Sequence, residues 1–289
     1  TDCWLEEGPK LGNVSDITEK ISLVEADSIR DEALAISFRI ISAVKEEQSL
    51  ILISPNRKLT RMVSAYLSNW NIVPDDSAGV PLQLTPSGRF LRLVVSLFTG
   101  PVTTTKIFAL LKHPLTHSGG EFRNDHLVFV QSLELFFRTA DVSIFSSESI
   151  SIWLREVKNP YASKWASWIC NILEMFKLKD SHIFEEILDK HIEIANNLAS
   201  GPDQNETNIS GELWKQNNGH HCFKIIEKIK EASPTASSIS ASRYADVFNS
   251  ILAEEHVPEI NPTHPYIMIW GTLEARAHNA EVLILAGMN

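Results

Sequence analysis

Apolar runs of strand type stand towards both ends of this chain, and a long stretch of helical pattern separates them in sequence. That arrangement restricts the folds open to it. Leu50–Ile53 reads LILI, a continuous apolar run of the kind buried on both faces of a parallel sheet. Tyr266–Trp270 and Val282–Ala286 are two further short apolar runs, flanking a polar turn. A sheet using all three is split in sequence, so the residues between its halves form an insertion.

The segment around Leu50 has the pattern of alternating strands and helices. Ile21–Ala26 (ISLVEA) is a short β-type run. Asp27 or Ser28 can cap a helix reaching Lys45, because their side-chain oxygens accept the free N–H groups of a first turn. Within it Ala33, Ile36, Ile40 and Val44 recur at helical spacing. After Ser54-Pro55, a helix from Arg57 to Trp70 turns Leu59, Val63, Tyr66 and Leu67 inward. Asn71-Ile72-Val73 begins a third extended piece, which Pro74-Asp75-Asp76 stops. The order β-α-β-α-β is the signature of a parallel sheet with right-handed crossovers. The expected fold class is therefore α/β. Residues 21–82 supply the first part of the sheet domain and residues 263–289 its last strands, with residues 1–20 as a polar tether.

Residues 83–262 read as an all-helical insertion. Helix-compatible apolar spacing covers Pro86–Phe98, Thr104–Lys112, Asp125–Phe137 and Ser149–Val157. It continues over Ser163–Leu178, Ile183–Leu198, Ser210–Ala232 and Ser240–Glu255. Turn signals such as Gly100-Pro101, Gly119-Gly120, Asn159-Pro160, Gly201-Pro202 and Ser233-Pro234 separate them.

Composition limits the function. A formal net charge of −10 argues against a surface that is wholly a nucleic-acid footprint, while leaving room for a local basic groove. No apolar run approaches the roughly 20 residues that cross a bilayer, so no membrane partner is expected. Cys3, Cys170 and Cys222 are far apart and form no C-x-x-C pair, which indicates neither a disulfide framework nor a zinc site and fits a reducing cytoplasm. The absent initiator Met and the abrupt Gly-Met-Asn end read as a piece of a longer protein.

Arg57, Lys58 and Arg61 cluster where a helix follows a buried strand. Ligands of open α/β sheets bind beyond the carboxyl ends of strands, and cations there can take phosphate oxygens. The alternative is a solvated helix face. Arg89 and Arg92 flank Phe90, a core residue, and could pair with Asp75-Asp76. His113 and His117 are interrupted by Pro114, and His220-His221-Cys222 diverge on a helix, so metal binding is not expected at either. Trp153, Trp165 and Trp168 have the spacing of an aromatic core, with base stacking as the alternative.

The segment SLILISPNRKLTRMVSAYLSNWNI resembles the strand–helix–strand that opens the second motor domain (2A) of UvrD-like superfamily 1 helicases, ahead of their helical 2B insert. DDSAGVPLQLTPSGRFLRLV, ALLKHPL, and GTLEAR followed by an apolar strand and Gly-Met-Asn are similar to a narrower family. That family is AddB, the subunit of bacterial helicase–nuclease complexes, in its alphaproteobacterial form. The match covers residues 21–112 and 263–289; elsewhere it rests on helical character and position. By position it implies that the loop carrying Thr272, Glu274 and Arg276 meets DNA, against the alternative of a turn in which Arg276 pairs with Glu274 or Glu281.

Active motors of this type carry His-Ser-x-Lys-Gly-Leu-Glu where this chain has Leu273-Glu274-Ala275-Arg276-Ala277-His278-Asn279. Neither a Walker A loop nor a nuclease carboxylate cluster is present. The resemblance implies a motor-like fold without its engine, with no catalytic residue, cofactor or metal of its own. It implies DNA and an AddA-type partner subunit as partners, in double-strand break repair by homologous recombination. It also implies ATP for the intact complex and Mg2+ for its nuclease. Two other classes stay open. One is a nucleotide-dependent transferase with a Rossmann-like sheet, although Asp27-Ser28-Ile29-Arg30 after the first run holds no glycine. The other is a pure protein-interaction scaffold.

Overall fold

The computed structural model describes residues 20–77, 79–141, 143–177, 183–203, 208–235, 238–257, 263–272 and 280–288. In chain order the first elements are α1 (Ile29–Lys45), β1 (Leu50–Ile53), α2 (Arg57–Ser68), β2 (Asp75–Asp76) and β3 (Val80–Pro81). The helices α3 (Pro86–Ser96), α4 (Thr104–Leu111), α5 (Arg123–Thr139), α6 (Ser147–Leu154) and α7 (Pro160–Met175) follow. Then come α8 (Phe184–Ser200), α9 (Asn217–Ala232), α10 (Ala241–Glu254), β4 (His256–Val257), β5 (Ile267–Trp270) and β6 (Val282–Leu285). The chain divides into two compact units, Thr1–Ser77 with Asn261–Asn289, and Ala78–Ile260.

The first unit is α/β. Its four strands among the described residues are all parallel and run in the order β2-β5-β1-β6, so β1 lies between two strands from the far end of the sequence. Leu50 is level with both Ile267 and Val282. Leu50, Leu52, Ile267 and Ile269 face Ile40 of α1 and Leu59 and Val63 of α2 in one core. Ser28 starts α1 by accepting the Asp31 N–H at 3.2 Å, and Ala33, Ile36 and Ile40 form its buried stripe. In α2 the stripe is Leu59, Val63 and Leu67.

Two expectations fail here. Ile21–Ala26 forms no strand, and Ile21, Leu23 and Val24 are exposed. The third extended piece is a strand at Asp75–Asp76 rather than at residues 71–73. Asn71 takes a φ of 56° and closes the end of α2, so the chain becomes available for pairing only after Pro74. Asp75 and Asp76 then pair with Met268 and Ile269 at the sheet's edge, where charged residues are tolerated.

The second unit holds eight of the ten α-helices among the described residues. Phe90, Leu110, Leu133, Trp165, Leu188 and Phe248 belong to its single core. It is not wholly helical, because β3 and β4 pair antiparallel where the chain enters and leaves the unit. The helix expected from Ser210 begins only at Asn217, after a turn in which Gly211 has a φ of 53°. No helix among the described residues is long and apolar enough to cross a membrane.

Candidate nucleic-acid interface

The carboxyl ends of the four parallel strands lie along one edge of the first unit. Ser54 donates its N–H to Trp270 O (3.2 Å), Ala286 to Ile53 O (3.0 Å) and Ser77 to Ile269 O (3.1 Å). Residues just past β1, β2, β5 and β6 therefore share that edge, where open α/β sheets bind ligands.

The start of α2 sits there. Asn56 Oδ1 accepts the N–H groups of Lys58 (3.1 Å) and Leu59 (3.2 Å), and Ser54 Oγ accepts the Asn56 N–H (3.1 Å). These caps occupy two of the donors that a phosphate would use at a bare helix start. Anion attraction at this edge thus falls to side chains. Lys58 and Arg61 are exposed one turn apart on the face opposite Leu59 and Val63.

Arg57 behaves differently. Its Nη1 stands 3.5 Å from Asp76 Oδ1 of β2, and that nitrogen is buried without a hydrogen bond. The Arg57 side chain remains 40% exposed against 18% for Asp76. The three basic residues are brought together, but one is partly neutralised by a carboxylate. Sequence reading assigned that carboxylate to Arg89 and Arg92; Arg92 instead donates from Nε to Asn249 Oδ1 at 3.1 Å. Thr272 is exposed beyond β5, after the buried Gly271. Glu274 and Arg276 lie outside the described residues. Asn56 and Asp76 were missed as parts of this edge. The Asn before Arg57-Lys58 was a readable capping signal, whereas the Asp76 contact depends on β2 reaching the sheet.

In the helical unit, Trp153 and Trp165 are buried and Trp168 is half-buried, its indole N–H donating to Asn197 O at 3.2 Å. Trp165 donates to His126 Nδ1 at 2.9 Å, and because a Trp N–H can only donate, His126 Nε2–H must donate to Leu111 O at 2.8 Å. Burial pushes His126 down to about 3. His191 is held likewise between Tyr244 Oη and Leu91 O, and burial pushes it down to about 4. His117 is buried at a φ of 51°, with no partner for either ring nitrogen among the described residues. Cys222 is buried, His220 is exposed and His221 lies 3.5 Å from Glu255. Among the described residues no three His, Cys, Asp or Glu side chains converge as metal ligands. A shallow groove of about 690 Å³ on α5 and α6 is lined by Val128, Leu135, Phe136 and Trp153.

No protein-family model matches the sequence, and no curated protein matches it.

Proposed function

We propose that this chain is the helicase-like, catalytically inert region of an AddB-type subunit, guiding DNA and holding a partner subunit during double-strand break repair. The observation that carries the reading is the basic start of α2, Arg57, Lys58 and Arg61, at the carboxyl edge of a parallel sheet whose strands come from both sides of a helical unit. Of the AddB-like segments, DDSAGVPLQLTPSGRFLRLV begins on β2 of that sheet, GTLEAR begins directly after β5, and ALLKHPL belongs to the helical unit. The loop after β1 is Ser54-Pro55-Asn56, without glycine, and Asn56 already caps the helix. That loop offers no cradle for a nucleotide phosphate, which counts against the transferase reading.

The chemistry of recognition is electrostatic. Each phosphate neutralised on a single strand contributes about −0.7 to the slope of log affinity against log salt. Replacing Arg57, Lys58 and Arg61 together with Ala should flatten that slope by up to roughly two units, measured by anisotropy of a labelled oligonucleotide. An unchanged slope removes these side chains from the DNA path and shifts the test to Arg276→Ala. ATP turnover by the purified chain, above a blank and lost on an internal substitution, would overturn the inert reading.

A further inference from the structure

In the helical unit, α5 is apolar on two opposite faces. Phe129, Val130, Leu133 and Phe137 turn into the core. A surface helix ordinarily keeps the face opposite its buried stripe polar. On α5 that outer face carries Val128 and Leu135, 61% and 59% exposed, with Leu127 beside them at 40%. Val128 and Leu135 stand about two turns apart, and the exposed Gln131 lies between them. The groove alongside has a fixed floor, because Trp153 of α6 donates its indole N–H to Ser132 Oγ at 3.1 Å.

This outer face is complementary to itself. With a second α5 laid end for end across Gln131, Val128 meets Leu135 of the second copy. Gln131 then meets Gln131 of that copy, and the two amides can each donate and accept. The charges match in the same arrangement. Arg123, at the start of α5, is bonded inward to His113 O at 3.1 Å and to Thr116 O, and Asp125 is the acid of the first turn. Arg138 is the base of the last turn, 73% exposed. It bonds Glu134 of its own helix at 2.8 Å, but Lys112 bonds that same carboxylate through the other oxygen, so Arg138 shares its acid with a second cation. The end-for-end arrangement sets Asp125 of each copy beside Arg138 of the other and opposes the two helix dipoles. A parallel pair would set acid against acid and base against base.

We propose that the outer face of α5 is a self-association surface, on which a second copy of this chain docks its own α5 antiparallel, crossing at Gln131. This concerns the helical unit by itself and holds whether or not the sheet edge of the other unit takes DNA. The 17 residues of α5 make a contact roughly 25 Å long. That is small for a permanent dimer, so the association is reversible and depends on concentration.

The test uses the whole chain in sedimentation equilibrium from low micromolar to hundreds of micromolar. The mass should rise with concentration towards two chains. Val128→Glu with Leu135→Glu, both at exposed positions, should hold it at one chain while circular dichroism stays that of the parent. Asp125→Arg or Arg138→Asp alone should weaken association by about fivefold or more, and the two together should restore it, because each copy then offers the reversed pair. With Cys3→Ser and Cys170→Ala in place, oxidised Gln131→Cys should link two chains across the crossing point, whereas Lys224→Cys on α9 should not. A single-chain mass at every concentration would overturn the proposal. So would a dimer that survives Val128→Glu with Leu135→Glu, since it lies on another face. Failure of the double charge reversal to restore association, with no bridge at position 131, would overturn the antiparallel docking.

Discussion

The Arg57 guanidinium lies 3.5 Å from the Asp76 carboxylate, linking the first residue of α2 to the edge strand β2. This contact ties one of the three cations at the sheet's carboxyl edge to an acid. A partly exposed pair of this kind stabilises by roughly 1 kcal/mol. Its consequence is felt in binding. Asp76→Asn should leave stability nearly unchanged and steepen the single-strand salt slope by up to about 0.7, as Arg57 becomes free for one phosphate. A salt titration of Asp76→Asn beside the parent checks this, and an unaltered slope would leave Arg57 out of any DNA contact.

Asn56 holds the first turn of α2 through two backbone N–H groups. Asn56→Ala should destabilise the sheet unit by about 1 kcal/mol, the usual cost of a lost N-cap. Urea unfolding gives the loss. Asn56→Asp should keep the cap and recover most of it.

The helical unit should be acid-labile through its buried histidines. His126 and His191 are held neutral in the fold, pushed down to about 3 and about 4 by burial, while a free His titrates near 6.5. Below 6.5 the unfolded chain binds protons that the fold refuses. Stability is thus complete above pH 6.5 and falls as pH drops towards 4, by up to about 1.4 kcal/mol per pH unit for each such group. Protonating His126 on Nδ1 would also set it against the Trp165 N–H, two donors face to face. Trp165→Phe should lower stability at pH 7.5 and flatten the acid dependence. Melting temperatures from pH 7.5 to 4.5 provide the readout.

Gly201 allows the His117 ring to be where it is. Its φ is +85°, and a Cβ added there would come 2.0 Å from His117 Cδ2. Gly201→Ala should cost more than about 2 kcal/mol, combining backbone strain with overlap. Adding His117→Ala removes the overlap but not the strain. The double variant should therefore be less destabilised than the sum of the two single ones, as a denaturation cycle would show.

Local signals in the sequence determined much of the architecture. Apolar spacing marked eight helical segments between the sheet's halves, Ser28 was among the two caps named for α1, and LILI was read as a buried strand. These are legible because capping and amphipathic stripes act over three or four residues, within one element. Tertiary structure alone decided the rest. Asp75–Asp76 became a strand because β5, almost two hundred residues later, offered an edge. Ile21–Ala26 has strand composition and stays unpaired with the sheet, because composition does not supply a neighbour. Arg57, Lys58 and Arg61 were visible as a cluster, but their division into one paired cation and two exposed ones depends on where β2 comes to rest. Strand partners and ion pairs across a sheet are set by chain segments distant in sequence, so no local pattern encodes them.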